Sequence, residues 1–257
     1  MSIVAVIHEE MKKRRIRKAK IYVTGDLPQV WGLSGQLQLD LLKEIGCTPN
    51  SKVLEIGCGC LNASVPIMKF IEPGNYVGVE PNKWLIDTIL EDEEVAELVR
   101  TRKPRFLYDA SFDATSANTQ FDFVISHSVL SHAARPQFEL FMRNLRKVLK
   151  PSGKILASLR MTGKKGNPLK DSNDSTWVYH SRKKRALMRL LGLKAPRGVS
   201  HFSFDTVQAM AAANGFSVVW EKRFREHFTK YSPFEHHDWI VLSPIQSPSR
   251  VQGAVVS

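Results

Sequence analysis

The chain has 257 residues and a mass of 29.1 kDa, is 43% hydrophobic and 24% charged, and carries 37 basic against 25 acidic side chains for a net charge of +12. That length suits one large domain or two small ones and buries roughly 70–75% of the unfolded surface without staples, and the composition excludes disorder, collagen and a coiled coil. No apolar run nears the roughly 18 residues of a membrane span; the apolar stretch 3–7 precedes the basic cluster, the wrong order for a secretory signal; and three cysteines make no disulfide framework, so a cytoplasmic address is expected.

In chain order, residues 1–30 read as a basic N-terminal helical segment, with seven basic side chains and no acid across 12–20. Residues 36–45 set Leu37, Leu41, Leu42 and Ile45 at helical spacing before Gly46. An apolar strand at 52–56 runs into a glycine-rich turn, and a helix at 65–71 is closed by Pro73-Gly74. The next strand covers 76–80, and 84–99 reads as one helix with an acidic first half, where acids complement the helix dipole. Strands at 105–108 and 121–126, a helix at 138–149 and a fifth strand at 154–159 follow. Residues 163–201 are a basic helical insertion, with ten basic side chains against two acids over 163–200 and an amphipathic stretch at 182–193. A helix at 204–214, capped by Ser203 or Asp205 and stopped at Asn214-Gly215, leads to strands at 216–220 and 239–242. Residues 243–257 read as a flexible tail.

Strands alternating with helices at this spacing imply an α/β fold: a doubly wound, mostly parallel seven-stranded sheet covered on both faces. The last two strands follow one another without a helix, so one of them is antiparallel. In such sheets ligands bind at the carboxyl ends of the strands. The two basic stretches together carry +15 and the remainder of the chain about −3. Concentrated positive charge steers anionic partners, whether phosphate, nucleic acid or an acidic lipid surface, or it makes two solvated faces.

The strongest chemical signal is Val53-Leu54-Glu55-Ile56-Gly57-Cys58-Gly59-Cys60-Leu61, a strand entering two glycines that permit a tight turn and close backbone approach to a ligand. Glu80 ends the second strand, where a carboxylate can accept both hydroxyls of a ribose. Asp109 ends the third strand, within reach of an adenine amine. A dinucleotide fingerprint needs a third glycine where Asn62 stands, so the pyrophosphate contact is missing. An acid at position 55 also suits a cationic amino-acid moiety better than a diphosphate, which favours S-adenosyl-L-methionine.

At this point the chain resembles the class I S-adenosylmethionine-dependent methyltransferases, a Rossmann-like superfamily, over roughly residues 30–242. The stretches that carry the resemblance are VLEIGCG (53–59), YVGVEP (76–81), FLYDASF (106–112), FDFVISHSVLSHA (121–133), LRKVLKPSGKILAS (145–158) and FSFDTVQAMAAANGFSVV (202–219). The resemblance implies a methyltransferase domain over 31–242, with the insertion 163–201 as its substrate lid. It implies that Glu55, Gly57, Cys58 and Gly59 wrap the methionine part of S-adenosyl-L-methionine. Glu80 with Pro81 holds the ribose, Asp109 with Ala110 meets the adenine, and Ser126 and His127 complete the cofactor site. The usual third glycine of the motif falls on Leu61, and the variant G-C-G-x-L occurs in relatives that also carry a W-G segment upstream, as Trp31-Gly32 does here.

Methyl transfer needs chiefly in-line placement, with a general base when the acceptor is a hydroxyl. His127 is the candidate base, with packing against cofactor or substrate and a structural role as the alternatives. His132 caps or packs within the following helix. Tyr22 and Trp31, in the segment that closes over the cofactor, and Trp177, Tyr179, His180 and Arg182, in the lid, are the candidate substrate contacts; Tyr22 and Trp31 equally fit a plain core. Cys58-x-Cys60 lacks zinc spacing and reads as packing beside the turn; His236-His237-Asp238 reads as a surface loop; no metal is expected. The expected activity is methylation of an O or N atom of a small or lipid- or sugar-linked, anionic acceptor. The alternatives are an RNA methyltransferase acting on ribose or a ring nitrogen, and a non-catalytic cofactor-binding subunit. The sequence carries no signal of oligomeric state.

Overall fold

The computed structural model describes residues 3–24, 31–162, 171, 199–222, 224 and 237–246. Trp177, Tyr179, His180, Arg182, the amphipathic stretch 182–193 and the tail beyond 246 lie outside the described residues.

Seven strands form one sheet in the order β3-β2-β1-β4-β5-β7-β6. They are β1 (Val53–Ile56), β2 (Tyr76–Val79), β3 (Arg105–Leu107), β4 (Phe121–Ser126), β5 (Leu149–Leu159), β6 (Phe216–Trp220) and β7 (Asp238–Pro244). Pairing is parallel from β3 through β5. The antiparallel strand is β7, which slots between β5 and β6 and runs against both. β1 and β2 are buried along their whole length, as expected of parallel strands covered on both faces. Strand order reverses between β1 and β4, which places a ligand crevice at their carboxyl ends.

The helices are α1 (Ile3–Thr24), α2 (Leu33–Glu44), α3 (Ser64–Phe70), α4 (Lys83–Ile89), α5 (Glu93–Arg102), α6 (Arg135–Val148) and α7 (Phe204–Ala213). On one face of the sheet Leu54, Ile56 and Val124 pack with Phe138, Phe141 and Phe202. On the other, Val53, Ile125 and Trp239 pack with Leu41, Leu42 and Ile67. The two sets alternate along β1, as side chains of a strand must, and Glu55 falls on the α2–α3 side.

Several predicted boundaries are corrected. β5 begins at Leu149 and not at 154, and Ser243 and Pro244 belong to β7 and not to a flexible tail, because they pair with Ser217 and Phe216. Residues 84–99 are not one helix but α4 and α5, because Asp92 takes an extended backbone (φ −76°, ψ 120°) and its carboxylate accepts the N–H groups of Glu94 and Val95. That is an N-cap in mid-run, and it starts a second helix. α6 begins at Arg135, ahead of the predicted 138, with the Gln137 side chain accepting the Ala134 N–H (2.8 Å). The helix after β5 carries the expected Ser203 cap, whose Oγ accepts the Thr206 N–H (3.2 Å).

The N-terminal helix lies on the body. Ala19 is fully buried and Ile16 packs beside it against Leu85, Ile86 and Ile89. Tyr22 meets Trp84 edge-on (5.3 Å between centroids, 71°). Arg15 forks onto Glu91 (2.7 Å) and Lys12 reaches Glu93 (3.4 Å). Exposed pairs of this kind contribute about 0–1 kcal/mol each, so the apolar contacts carry the docking and the ion pairs set its register.

α2 approaches the β1–α3 turn so closely that a Cβ on Gly35 would lie 2.0 Å from the Asn62 carbonyl oxygen. Glycine to alanine inside a helix normally stabilises by about 1 kcal/mol. Here the sign should reverse: Gly35→Ala is expected to destabilise by about 1–3 kcal/mol through overpacking, read as a lower denaturant midpoint.

Candidate active site

The turn between β1 and α3 is built from backbone that swings repeatedly into the left-handed region: Gly57 at φ 76°, Gly59 at φ 54° and Leu61 at φ 62°. The first two need glycine for space as well. A Cβ on Gly57 would meet Val129 at 2.5 Å, and one on Gly59 would meet Val23 of α1 at 2.9 Å. Leu61 keeps the glycine-like conformation at a cost of order 1–2 kcal/mol, and its fully buried side chain packs with Leu85, Ile86 and Ile89, which offsets it. The departure from the third glycine therefore leaves the path of the turn intact.

Glu80, at the end of β2, is buried and grips this turn: its Oε2 accepts the Gly59 N–H (3.0 Å). Its Oε1 accepts the backbone and side-chain N–H groups of Asn82 (2.9 and 2.7 Å). Pro81 beside it is exposed. At the end of β3, Oδ1 of Asp109 accepts from the Ser111 N–H (2.7 Å), the Ser111 hydroxyl (2.8 Å) and the Asp113 N–H (2.9 Å). Partial burial acts to raise the pKa of Asp109, but these bonds outweigh it and hold the carboxyl below its ordinary value. Ala110 is exposed next to it.

Glu55 sits lower, beneath the turn. Its Oε2 lies 2.6 Å from Tyr76 Oη and 2.8 Å from Ser64 Oγ, and these two hydroxyls are 2.7 Å apart. Burial raises Glu55 to about 7 against the pull of the two hydroxyls. Cys58 and Cys60 are buried packing, as read, and the Trp31 indole N–H donates to Cys60 Sγ (3.2 Å). Lys20 stands over the Trp31 ring at 4.0 Å. Trp31 is thus at the turn, whereas Tyr22 is on α1 against Trp84 and half exposed.

At the end of β4, Ser126 is fully buried, and its hydroxyl has no hydrogen-bond partner among the described residues. His127 stacks flat on Trp239 (5.4 Å, 7°) and lies 5.1 Å from His237. Burial pushes His127 down to about 4, so the imidazole is neutral at neutral pH. His237 Nδ1 is 3.2 Å from Ser158 Oγ, which in turn accepts the Ser128 N–H (2.8 Å). Ser131 donates to the Ser128 carbonyl (3.1 Å), and the Ser200 N–H donates to the Ser131 carbonyl (2.8 Å).

The reading of His236-His237-Asp238 as a surface loop is overturned for His237 and Asp238, which are buried, with Asp238 Oδ2 accepting the Met161 N–H (3.1 Å); His236 lies outside the described residues. The reason is topological. β7 is antiparallel, so its first residues lie at the edge where the parallel strands end. His132 is likewise displaced from its expected place, since it closes a single 3-10 turn (Leu130–His132) ahead of α6. Ser158, Trp239, Val129 and Asn82 went unnoticed in sequence. Only Asn82, adjacent to Glu80, carried a local signal. Among the described residues no group of three or more His, Cys, Asp or Glu is placed to hold a metal.

The sheet order defines a doubly wound α/β fold with a glycine turn at the carboxyl end of β1, and comparison with known proteins adds to this. A family profile described as a methyltransferase domain matches residues 54–155, which run from β1 to β5. An uncharacterized methyltransferase of Schizosaccharomyces pombe (strain 972 / ATCC 24843) is 29% identical over 107 residues, 40% of this chain and 38% of that protein. The match therefore spans well under half the length of that relative. Among solved structures, the magnesium protoporphyrin IX methyltransferase ChlM of Synechocystis PCC 6803, with bound SAH, is similar at TM-score 0.56 and 15% identity, over 90% of this chain and 93% of that one. The CcbJ methyltransferase of Streptomyces caelestis is similar at TM-score 0.58 and 14% identity, over 82% and 90%. Identities this low establish a shared fold.

Glu55 makes a pH prediction. Its folded pKa, about 7, lies above its unfolded value, so its contribution to stability is complete below about pH 4.5 and is lost as pH rises through about 7. Glu55→Gln should therefore gain stability relative to wild type as pH is raised from about 5 to 8, measured as the difference between paired denaturant titrations. A difference that is flat or falls with pH would contradict the buried placement.

Proposed function

We propose that the protein is an S-adenosyl-L-methionine-dependent methyltransferase, acting on an O or N atom of a small or lipid- or sugar-linked acceptor. The observation that carries this reading is the turn at 57–61 gripped by Glu80 through the Gly59 N–H. A Cβ at either glycine would collide with the segment that hems it in, so the turn leaves a narrow bare-backbone strip beside a carboxylate at the next strand end. That donor set fits a nucleoside without a diphosphate. Bound there, S-adenosyl-L-methionine would supply an electrophilic methyl group on a sulfonium. The ChlM structure, solved with bound SAH, supports the same choice of cofactor.

The roles proposed for this chain's residues follow from their partners. Glu80 Oε1 already accepts two N–H groups of Asn82, whereas Oε2 accepts only that of Gly59, which leaves a lone pair on Oε2 for a ribose hydroxyl. Gly57, Cys58 and Gly59 line the methionine part, with Glu55 as a buried support below them. Asp109, held charged by three donors, faces the adenine with Ala110. Ser126 and His127 border the reacting end, and a neutral imidazole there accepts a hydrogen bond from the acceptor's nucleophile without adding positive charge beside a sulfonium. A base of pKa near 4 removes a proton poorly from an alcohol, since the best general base titrates near the working pH. His127 therefore acts chiefly by orienting the acceptor, held in place by Trp239 and His237. The RNA alternative gains little from residues 12–20: Lys12, Lys13 and Arg15 meet carboxylates and Lys20 stands on Trp31.

Calorimetric titration tests the reading. Micromolar binding of S-adenosyl-L-methionine without binding of NAD is expected, weakened at least about tenfold in Glu80→Ala by loss of charge-assisted hydrogen bonds. NAD binding, or an unchanged affinity in Glu80→Ala, would contradict it. Once an acceptor is in hand, His127→Ala should lower kcat about 10²-fold with little change in cofactor affinity. The wild-type rate should not fall as pH is lowered from 8 to 6, because His127 titrates near 4.

A further inference from the structure

We infer that the outer face of α1 docks the protein on an anionic lipid surface. One side of α1 is committed to the body through Arg15, Ile16, Ala19 and Tyr22. The side turned away exposes Val6, Ile7 and Met11, at 48%, 55% and 56% of their full area. Arg14 and Arg17 lie along the same side of the helix. Arg14, Arg17 and the exposed Lys18 have no carboxylate partner among the described residues. Glu10, the acid on this face, is neutralised by Lys13 (3.2 Å). Aliphatic groups followed by uncompensated cations along one helix match a bilayer interface, where hydrocarbon meets acidic headgroups.

Two other occupants fit less well. A second copy paired face to face across a two-fold axis would bring the same cations together. Single-stranded nucleic acid takes basic residues interleaved with aromatic rings, and α1 carries only Tyr22, which is packed on Trp84. The proposal stands independently of the methyltransferase reading, although it suits an acceptor with a lipid anchor. Helix α1 also sets Val23 against Gly59, so the helix itself would stand between such a surface and the glycine turn.

The test is co-sedimentation of the full chain with phosphatidylcholine vesicles, with and without phosphatidylglycerol. Binding is expected only with phosphatidylglycerol and should weaken with added salt. The triple variant Arg14→Gln, Arg17→Gln, Lys18→Gln should bind at least about tenfold more weakly. Ile7→Ser with Met11→Ser should bind several-fold more weakly, and thermal unfolding of each variant checks that it folds as wild type does. Binding to neither vesicle, equal binding to both, or anionic binding untouched in either folded variant would overturn the proposal. So would a concentration-dependent dimer in the absence of vesicles, abolished by Ile7→Ser with Met11→Ser, or short single-stranded RNA binding at lower concentration than the vesicles.

Discussion

The hydrogen bond from the Gly59 N–H to Glu80 fixes the geometry on which the rest of this molecule depends. It joins the turn after β1 to the end of β2, on one side of the point where strand order reverses between β1 and β4. A backbone amide can point at that carboxylate because Gly57, Gly59 and Leu61 hold left-handed conformations in alternation. The surrounding chain is fitted to the result: Gly35 lets α2 rest on Asn62, Val129 fills the space beside Gly57, and Val23 covers Gly59. Each of these contacts has room for a hydrogen atom and none for a methyl group.

Across the crevice from Glu80 the chemistry is of another kind. His127, His237 and Trp239 form a packed stack of rings, held by the hydroxyls and amides of Ser128 and Ser158. Burial drives Glu55 up to about 7 and His127 down to about 4, and in both cases it favours the uncharged form. A site that suppresses these charges while keeping Glu80 and Asp109 hydrogen-bonded from several sides presents carboxylates at one end and neutral donors and acceptors at the other.

Sequence made much of this legible. The alternation of strands and helices, the glycine turn and the acids at strand ends are local patterns, and the sheet, Glu80 and Asp109 stand where those patterns put them. What escaped depends on contacts distant in sequence. Asp92 reads as one acid among several until its carboxylate is seen capping α5, because the acidic run 91–94 suits a helix dipole as well as a helix start. His237 and Asp238 read as loop because nothing local says that β7 runs backwards and returns its first residues to the site edge. Leu61 stands where the motif usually has glycine, and its buried packing, which no local pattern announces, explains how a leucine tolerates glycine's backbone. The basic run at 12–20 likewise reads as uniformly open until Glu91 and Glu93 are found opposite Arg15 and Lys12, which leaves only part of it exposed.

Hydrogen–deuterium exchange of the full chain, with and without S-adenosylhomocysteine, tests the central claim most directly, because it reports where the ligand sits without needing an acceptor. Slowed exchange is expected at residues 57–61, at Asn82 and at Ser111, the amides of the turn and of the two acidic strand ends. Protection absent from these segments, or confined to the opposite edge of the sheet around Lys52 and Gly74, would contradict it.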